Sequence, residues 1–474
     1  MPDASRFASG FTTCTASTDL SSLPVRGTLP AWLRGTLYRN GPATWEVGRT
    51  ALTHWFDGFA KLHRFGFAGD GVVSFRCRML ESQQYRVSLT RGKLWRRLFA
   101  TEQKRRWWHK LAFALHPTYG DNALVNIISL AGGIAALTES PRVVRVNPQT
   151  LAAEGDLRFD DQLEGNNSTA HPVVDPRSGD LINLLTKYGK TTRHQFTRQA
   201  PGSRRREVIG ILDATEPSYH HFFGLTKRFI VFTKWPFVMQ PLHMIFGNST
   251  IYGSYRWKPE LGLRIRLLER ATGRVLGPFT TGACFGFHHV NAWDRNGGID
   301  FDVAVLHDHQ VFDELLMKRV RTVGITSKPL LTRFHIELSS GEVRRQPLGE
   351  DTFDFPLIDE RVRCQPTTVV WGCGVVTDRR EGMLNRIGRR EFSPDGSLLT
   401  ETSWQQNDCF PGEPVFVPRP GGTTNEGVLL SVVLDGAREQ SFLLVLDATT
   451  LTELARAEVP QVVPFGFHGS FVPG

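Results

Sequence analysis

Val144-Arg145-Val146-Asn147-Pro148-Gln149-Thr150 reads as a short strand running into a turn. The valines alternate with an arginine, as on a sheet with one buried face, and Asn-Pro-x-Thr follows where the chain must reverse. Val445-Leu446-Asp447-Ala448-Thr449-Thr450 repeats the unit near the other end of the chain. Similar β-branched or aromatic runs lie at 35–39, 72–76, 123–129, 181–185, 229–232, 262–267, 303–306, 331–336 and 427–434. Turn signals separate them, among them Asp-Pro-Arg-Ser-Gly-Asp at 175–180 and Ser-Ser-Gly-Glu at 339–342. Helical candidates are few: 91–114 and 310–319. There is no strand–helix alternation and no low-complexity linker. The pattern predicts an all-β chain, a β-propeller or a large sandwich, in one domain over 1–474.

The composition is globular, with 40% apolar and 22% charged residues among 474. Phenylalanine (32) far outnumbers tyrosine (7), which favours an aromatic-lined interior. The net charge of +9 is concentrated at 93–99 and 104–110, where cations alternate with aromatic rings. That mixture suits a membrane interface better than a nucleic-acid groove, because rings enter the headgroup zone while cations stay at its surface. Nucleic-acid binding is the weakest reading, and no nucleic-acid partner is expected. Six scattered cysteines form no CxxC pair, which excludes a zinc ribbon or thioredoxin motif and points to a reducing, cytoplasmic setting. The mostly apolar run 123–137 is too short and too interrupted to span a bilayer, so membrane contact is expected to be peripheral.

Four histidines sit in aromatic or Pro/Gly frames: His171 in Ala-His-Pro, His221 in Tyr-His-His-Phe, His288 in Phe-His-His-Val-Asn, and His468 in Phe-His-Gly-Ser-Phe. They are separated by 50, 67 and 180 residues, so no helix brings them together. A propeller would, because its inner strands converge on one axis and its blades take about 40–50 residues each. Four imidazoles would suit iron, copper, nickel or zinc and leave a divalent ion its full charge.

Several motifs now stand in order: Gly35-Thr-Leu-Tyr-Arg-Asn-Gly-Pro42, His54-Trp-Phe-Asp-Gly58, Asp121-Asn-Ala-Leu-Val-Asn126, Thr169-Ala-His-Pro172, Pro217-Ser-Tyr-His-His-Phe-Phe-Gly-Leu-Thr226, Phe287-His-His-Val-Asn-Ala-Trp-Asp294, Glu413-Pro-Val-Phe-Val417 and Phe465-Gly-Phe-His-Gly-Ser-Phe471. Together they make the chain resemble the carotenoid cleavage oxygenase family, in its animal-type carotene oxygenase and retinoid isomerase branch. The resemblance implies a seven-bladed β-propeller with a helical and loop cap over the metal-bearing axial face. It implies Fe(2+) held by His171, His221, His288 and His468. His54, His63, His220, His289, His307 and His309 are then packed or surface residues. It also implies carboxylates behind three of the ligands, at Glu139, Glu413 and position 354. Position 354 is Asp where the family has Glu, so a looser contact to His288 is expected, met by a backbone shift or a bridging water.

The implied reaction is cleavage of a conjugated C=C bond of a carotenoid or apocarotenoid by O2, giving aldehyde or ketone products. Segments 86–118 and 235–257 are expected to face the membrane and admit substrate. Trp107, Trp108, Phe113, Trp235, Phe237 and Phe287 are candidates for that mouth and tunnel, although 235–246 reads equally well as buried core. Three alternatives share these residues: a retinoid isomerohydrolase on the same iron, a stilbene-cleaving enzyme, and a non-catalytic propeller binding module. The stilbene enzymes carry Lys where this chain has Thr138. The binding module would hold no metal.

Overall fold

Asn147 accepts two backbone hydrogen bonds on its side chain, from the N–H groups of Gln149 and Thr150 at 3.1 and 2.9 Å. Asp447 does the same for Thr449 and Thr450, both at 2.9 Å. In both turns the fifth residue, Leu151 or Leu451, has positive φ and donates its N–H back to the first residue's carbonyl at 2.9 Å. The short polar side chain mimics a backbone turn and lets the next strand pair antiparallel. These turns join Val144–Val146 to Ala153–Asp156 and Gln440–Asp447 to Glu453–Val459.

Such hairpins build seven antiparallel sheets of four to six strands, which form a seven-bladed propeller in a computed structural model describing residues 6–103, 119–240, 250–376, 382–393 and 395–474. Numbered along the chain, the blades have innermost strands Gly469–Pro473 (blade 1), Asn126–Leu130 (2), Asn167–Ser168 with Val173–Val174 (3), Gly224–Leu225 (4), Phe285–Arg295 (5), Asp354–Leu357 (6), and Cys409–Pro411 with Val415–Pro418 (7). Each strand run read from the sequence overlaps a strand, although 123–125 of the run 123–129 precede the strand Asn126–Leu130.

Both chain ends close the ring. The C-terminal strand Gly469–Pro473 pairs with Arg34–Thr44 in blade 1, with Gly35 opposite Pro473 and Arg39 opposite Gly469. The strand Val25–Gly27, near the N-terminus, pairs with Glu453–Val459 in blade 7. Without a free edge between first and last blade, the ring cannot open by slipping a strand.

The helix expected over 91–114 is displaced. The helix is Gln83–Arg91, and it ends where the expected one began. Ser82 caps its start by accepting from the Tyr85 N–H, and Gly92 ends it in the left-handed region at φ 60°. The basic and aromatic content of 93–99 disguised that stop; residues 92–103 are not helical, and 104–118 lie outside the described residues. The stretch expected at 310–319 is two short helices, Val311–Glu314 and Met317–Val320. These pieces cap one axial face. The buried carboxylate of Asp57 holds the 99–101 segment there, accepting from the N–H groups of Phe99 (2.7 Å) and Ala100 (3.2 Å) and from the Thr101 hydroxyl (2.6 Å).

His54 ties blade 1 to this cap. Its Nδ1 accepts from the Phe56 N–H at 3.1 Å, and its Nε2–H donates to the Phe312 carbonyl at 2.9 Å. Burial lowers its pKa to about 4. The folded protein therefore keeps the ring neutral, whereas the unfolded chain binds a proton below the ordinary value of 6.5. Stability from this residue is complete above that value and falls as the pH drops towards 4. His194 and His289, lowered by burial to about 3, act in the same direction. Urea unfolding between pH 7.5 and 5 should show stability falling with pH. His54→Gln should lower the proton uptake on unfolding at pH 5 by about one; an unaltered slope would remove His54 from this account.

Candidate metal centre

Four of the innermost strands deliver one imidazole each to the axis. His171 lies between the two short inner strands of blade 3, its N–H bound to the Thr169 hydroxyl at 3.0 Å. His221 precedes the inner strand of blade 4, His288 lies within that of blade 5, and His468 immediately precedes that of blade 1. Ring centroids are 4.3 Å apart for His171–His221 and His171–His468, 5.3 Å for His221–His288 and 5.2 Å for His288–His468. The diagonals are longer, 6.1 Å for His171–His288 and 6.2 Å for His221–His468. The four rings thus stand around one point in the order in which their blades follow one another. Nitrogens of His171, His221 and His468 all lie within 4.8 Å of one another, a group that does not include His288.

The other three blades supply carboxylates. Glu139, just beyond the second strand of blade 2, accepts from His221 Nδ1 at 2.6 Å. Asp354, the first residue of blade 6, accepts from His288 Nδ1 at 2.7 Å. Glu413, between the short inner strands of blade 7, accepts from His468 Nδ1 at 2.6 Å. With Nδ1 engaged, each ring is held in one tautomer and its Nε2 carries the free lone pair. His171 has no carboxylate, and its Nε2 is buried without a hydrogen-bond partner. Burial and the neighbouring imidazoles hold His171 and His468 well below the usual histidine range. Burial also lowers His221, opposed by Glu139. Converging imidazoles with an orphaned buried nitrogen fit a divalent metal.

The contact to His288 is not loose. At 2.7 Å it matches the others to within 0.1 Å, and no bridging water is needed. The backbone supplies the reach that the shorter side chain lacks. The inner strand of blade 6 changes register between Asp354 and Leu357, and Phe355 takes φ 46°, in the left-handed region. The Phe355 N–H donates to Asp354 Oδ1 at 2.8 Å, and its ring packs 5.1 Å from His288.

Two further residues were not singled out from the sequence. The Arg39 guanidinium donates to Glu413 Oε2 at 2.6 Å and to the Phe467 carbonyl at 2.9 Å. Burial raises the Glu413 carboxyl, and Arg39 opposes that rise. The Tyr219 hydroxyl donates to Glu139 Oε1 at 2.7 Å. Arg39 lies inside the 35–42 motif and Tyr219 two residues before His221, so position was the only available signal. The neighbouring His220 and His289 are buried and turned aside, bonded to the hydroxyls of Ser218 (3.0 Å) and Thr233 (2.9 Å). His63 is buried in blade 1, His307 is exposed, and His309 stacks on Trp257.

A cavity of about 270 Å³ opens over the rings, walled by His221, His288 and His468 together with Trp55, Phe56, Phe99, Met239, Phe287 and Phe467. Phe287 thus lines it as expected. Trp235 and Phe237 do not. Both are 1% exposed and pack against Phe285, which stands behind Phe287. Of the two readings of 235–246, the described part takes the buried one. Met239, Ile251 and Tyr255 from 235–257 do reach the cavity. Trp107, Trp108 and Phe113 lie outside the described residues.

A sequence model of the family described as retinal pigment epithelial membrane protein matches residues 11–473. The human beta,beta-carotene 15,15'-dioxygenase is 30% identical over 505 residues, covering 94% of this chain and 91% of that protein. The chloroplastic carotenoid cleavage dioxygenase 8 homolog A of rice (Oryza sativa subsp. japonica) is 29% identical, covering 95% and 85%. Among solved structures, cobalt-substituted Synechocystis apocarotenoid oxygenase superimposes with a TM-score of 0.87 at 26% identity, covering 99% of this chain and 98% of that one.

Removing a carboxylate that orients a metal-binding histidine typically weakens metal binding 10- to 100-fold, roughly. Asp354→Ala should therefore lose cobalt(II) to a competing chelator at correspondingly lower chelator concentration, with unchanged circular dichroism. Asp354→Glu should retain the metal. Wild-type metal retention by the Ala variant would show that Asp354 does not support the site.

Proposed function

This chain belongs to the retinal pigment epithelial membrane protein family, and on that premise we propose that it is a non-haem iron dioxygenase cleaving a conjugated C=C bond of a carotenoid or apocarotenoid. The observation that carries this reading is the ring of four imidazoles, three backed by carboxylates, beneath an apolar cavity. His171, His221, His288 and His468 would hold Fe(2+). Iron bound there supplies the electron exchange that lets O2 react with a double bond. Overall, one O2 and one C=C bond give two carbonyl products, with every atom accounted for.

The protein's own part is positional. Glu139, Asp354 and Glu413 hold three rings in one tautomer and aim. The aromatic walls exclude water and take up a flat polyene by apolar contact. Phe287 and Phe355 pack directly on the histidine rings, so the hydrocarbon and the rings share one dry compartment.

Such substrates dissolve in membranes, and we propose a peripheral membrane contact through the segment 86–118. Among the described residues, no helix is long and apolar enough to cross a bilayer. Trp95 carries the Arg96 guanidinium over its ring at 4.0 Å, the kind of pair that sits at a headgroup boundary. Liposome co-sedimentation should show binding that falls on replacing Trp107, Trp108 and nearby cations; equal binding by those variants would exclude this surface.

The reaction is tested by anaerobic purification with iron, incubation with β-carotene and several apocarotenals, then admission of O2. Mass spectrometry should find paired aldehyde or ketone fragments, and His171→Ala should lower their yield by about a hundredfold or more. In a parallel incubation with a retinyl ester, release of an intact retinoid alcohol would indicate an isomerohydrolase instead. Failure to bind any metal would indicate a binding module.

A further inference from the structure

The cavity wall is not uniform. On the side of blade 5 and the cap it is mostly hydrocarbon, with Leu306, Val311, Leu315 and Ile325, although Arg97 and Ser327 also reach it. On the side of blades 2 and 3 it carries Tyr119, Ser140, Asn166 and Tyr188, joined by Tyr255.

Hydrogen-bond accounting on the polar side leaves donors over. Asn166 accepts from the Tyr188 N–H at 2.6 Å through Oδ1 and donates one amide hydrogen to the Tyr119 hydroxyl, so its second amide hydrogen is uncommitted. The hydroxyls of Tyr188 and Tyr255 are neighbours on the cavity wall, and at most one of their two hydrogens can be taken up between them. Among the described residues, neither phenol has another hydroxyl partner. Burial, with Glu139 nearby, raises both phenols, so they stay protonated and able to donate. Spare donors facing an apolar cavity are costly until a ligand brings an acceptor. A hydrocarbon brings none. A carbonyl oxygen brings two lone pairs.

We propose that Tyr188, Tyr255 and Asn166 bind a terminal carbonyl oxygen of the substrate, and that the preferred substrate class is therefore a polyene aldehyde of the apocarotenal type. This rests on the cleavage reading above. The carbonyl lies on the side of blades 2 and 3, and the apolar remainder crosses the histidine rings towards Leu306 and Val311. The anchor also fixes register. Successive double bonds of a polyene are nearly equivalent and an all-apolar slot lets them slide, whereas one anchored oxygen presents one bond to the metal.

The test uses the iron-loaded, full-length protein under argon, so that bound polyene stays intact. An apocarotenal should bind with its visible absorption shifted to longer wavelength, the signature of a hydrogen bond to a conjugated carbonyl. Tyr188→Phe and Asn166→Leu should each reduce that shift and weaken apocarotenal binding about tenfold, while β-carotene binds both variants as it binds the wild type. An unchanged spectrum and affinity in both variants would overturn the proposal, as would equal losses for the aldehyde and the hydrocarbon. Admission of O2 separates the two claims. Cleavage of β-carotene as efficiently as of apocarotenals sinks the carbonyl anchor and leaves the dioxygenase standing. Cleavage of neither sinks the dioxygenase, and the binding arm still decides the anchor.

Discussion

The antiparallel pairing of Gly469–Pro473 with Arg34–Thr44 is the contact on which the rest of this molecule depends. It closes the ring of blades, and it sets His468 one residue ahead of the closing strand. The same register puts Arg39 opposite Gly469, so the guanidinium reaches Glu413 from the adjoining blade. Glu413 in turn accepts from His468 Nδ1 and, at 3.1 Å, from the Gly469 N–H. Ring closure and completion of the histidine set are thus one structural event. A chain whose last strand is unpaired has three imidazoles and an unsupported fourth.

Every blade contributes to the centre: four through a histidine and three through a carboxylate. The carboxylates are not equivalent. Glu413 has a cation behind it, Glu139 a phenol, and Asp354 a backbone N–H. An ionised carboxylate in a buried place is costly unless donors surround it, and each blade solves this with what its local geometry allows. The histidines show the complementary effect. Burial lowers His171, His221 and His468, which suits ligation, and burial of His54, His194 and His289 makes the fold sensitive to acid.

Much of this was legible in the chain itself. The strand–turn units announced a β fold because short polar side chains at 147 and 447 accept from the backbone N–H groups of their own turns. The histidine motifs and the glutamates at 139 and 413 were recognisable because their neighbours are distinctive. Other features were hidden. The stop at Gly92 was masked by a basic, aromatic run that looks helical in composition. Trp235 and Phe237 look like a membrane mouth or a core strand until the packing of Phe285 is known. Asp354 looked too short for its task, because a side chain can be counted from the sequence and a backbone bulge at Phe355 cannot.

The sequence by itself determined the fold class, the identity of the four histidines and the three acidic positions behind them. These are matters of residue type, turn chemistry and motif order, all local along the chain. Only the tertiary structure decided which rings Glu139 and Glu413 serve, that Asp354 reaches His288 directly, that Arg39 and Tyr219 hold the carboxylates, and that one wall of the cavity carries spare hydrogen-bond donors. Each of these depends on distances of a few ångströms between blades far apart in the chain. Such distances are set by closing the ring, which no local pattern of residues encodes.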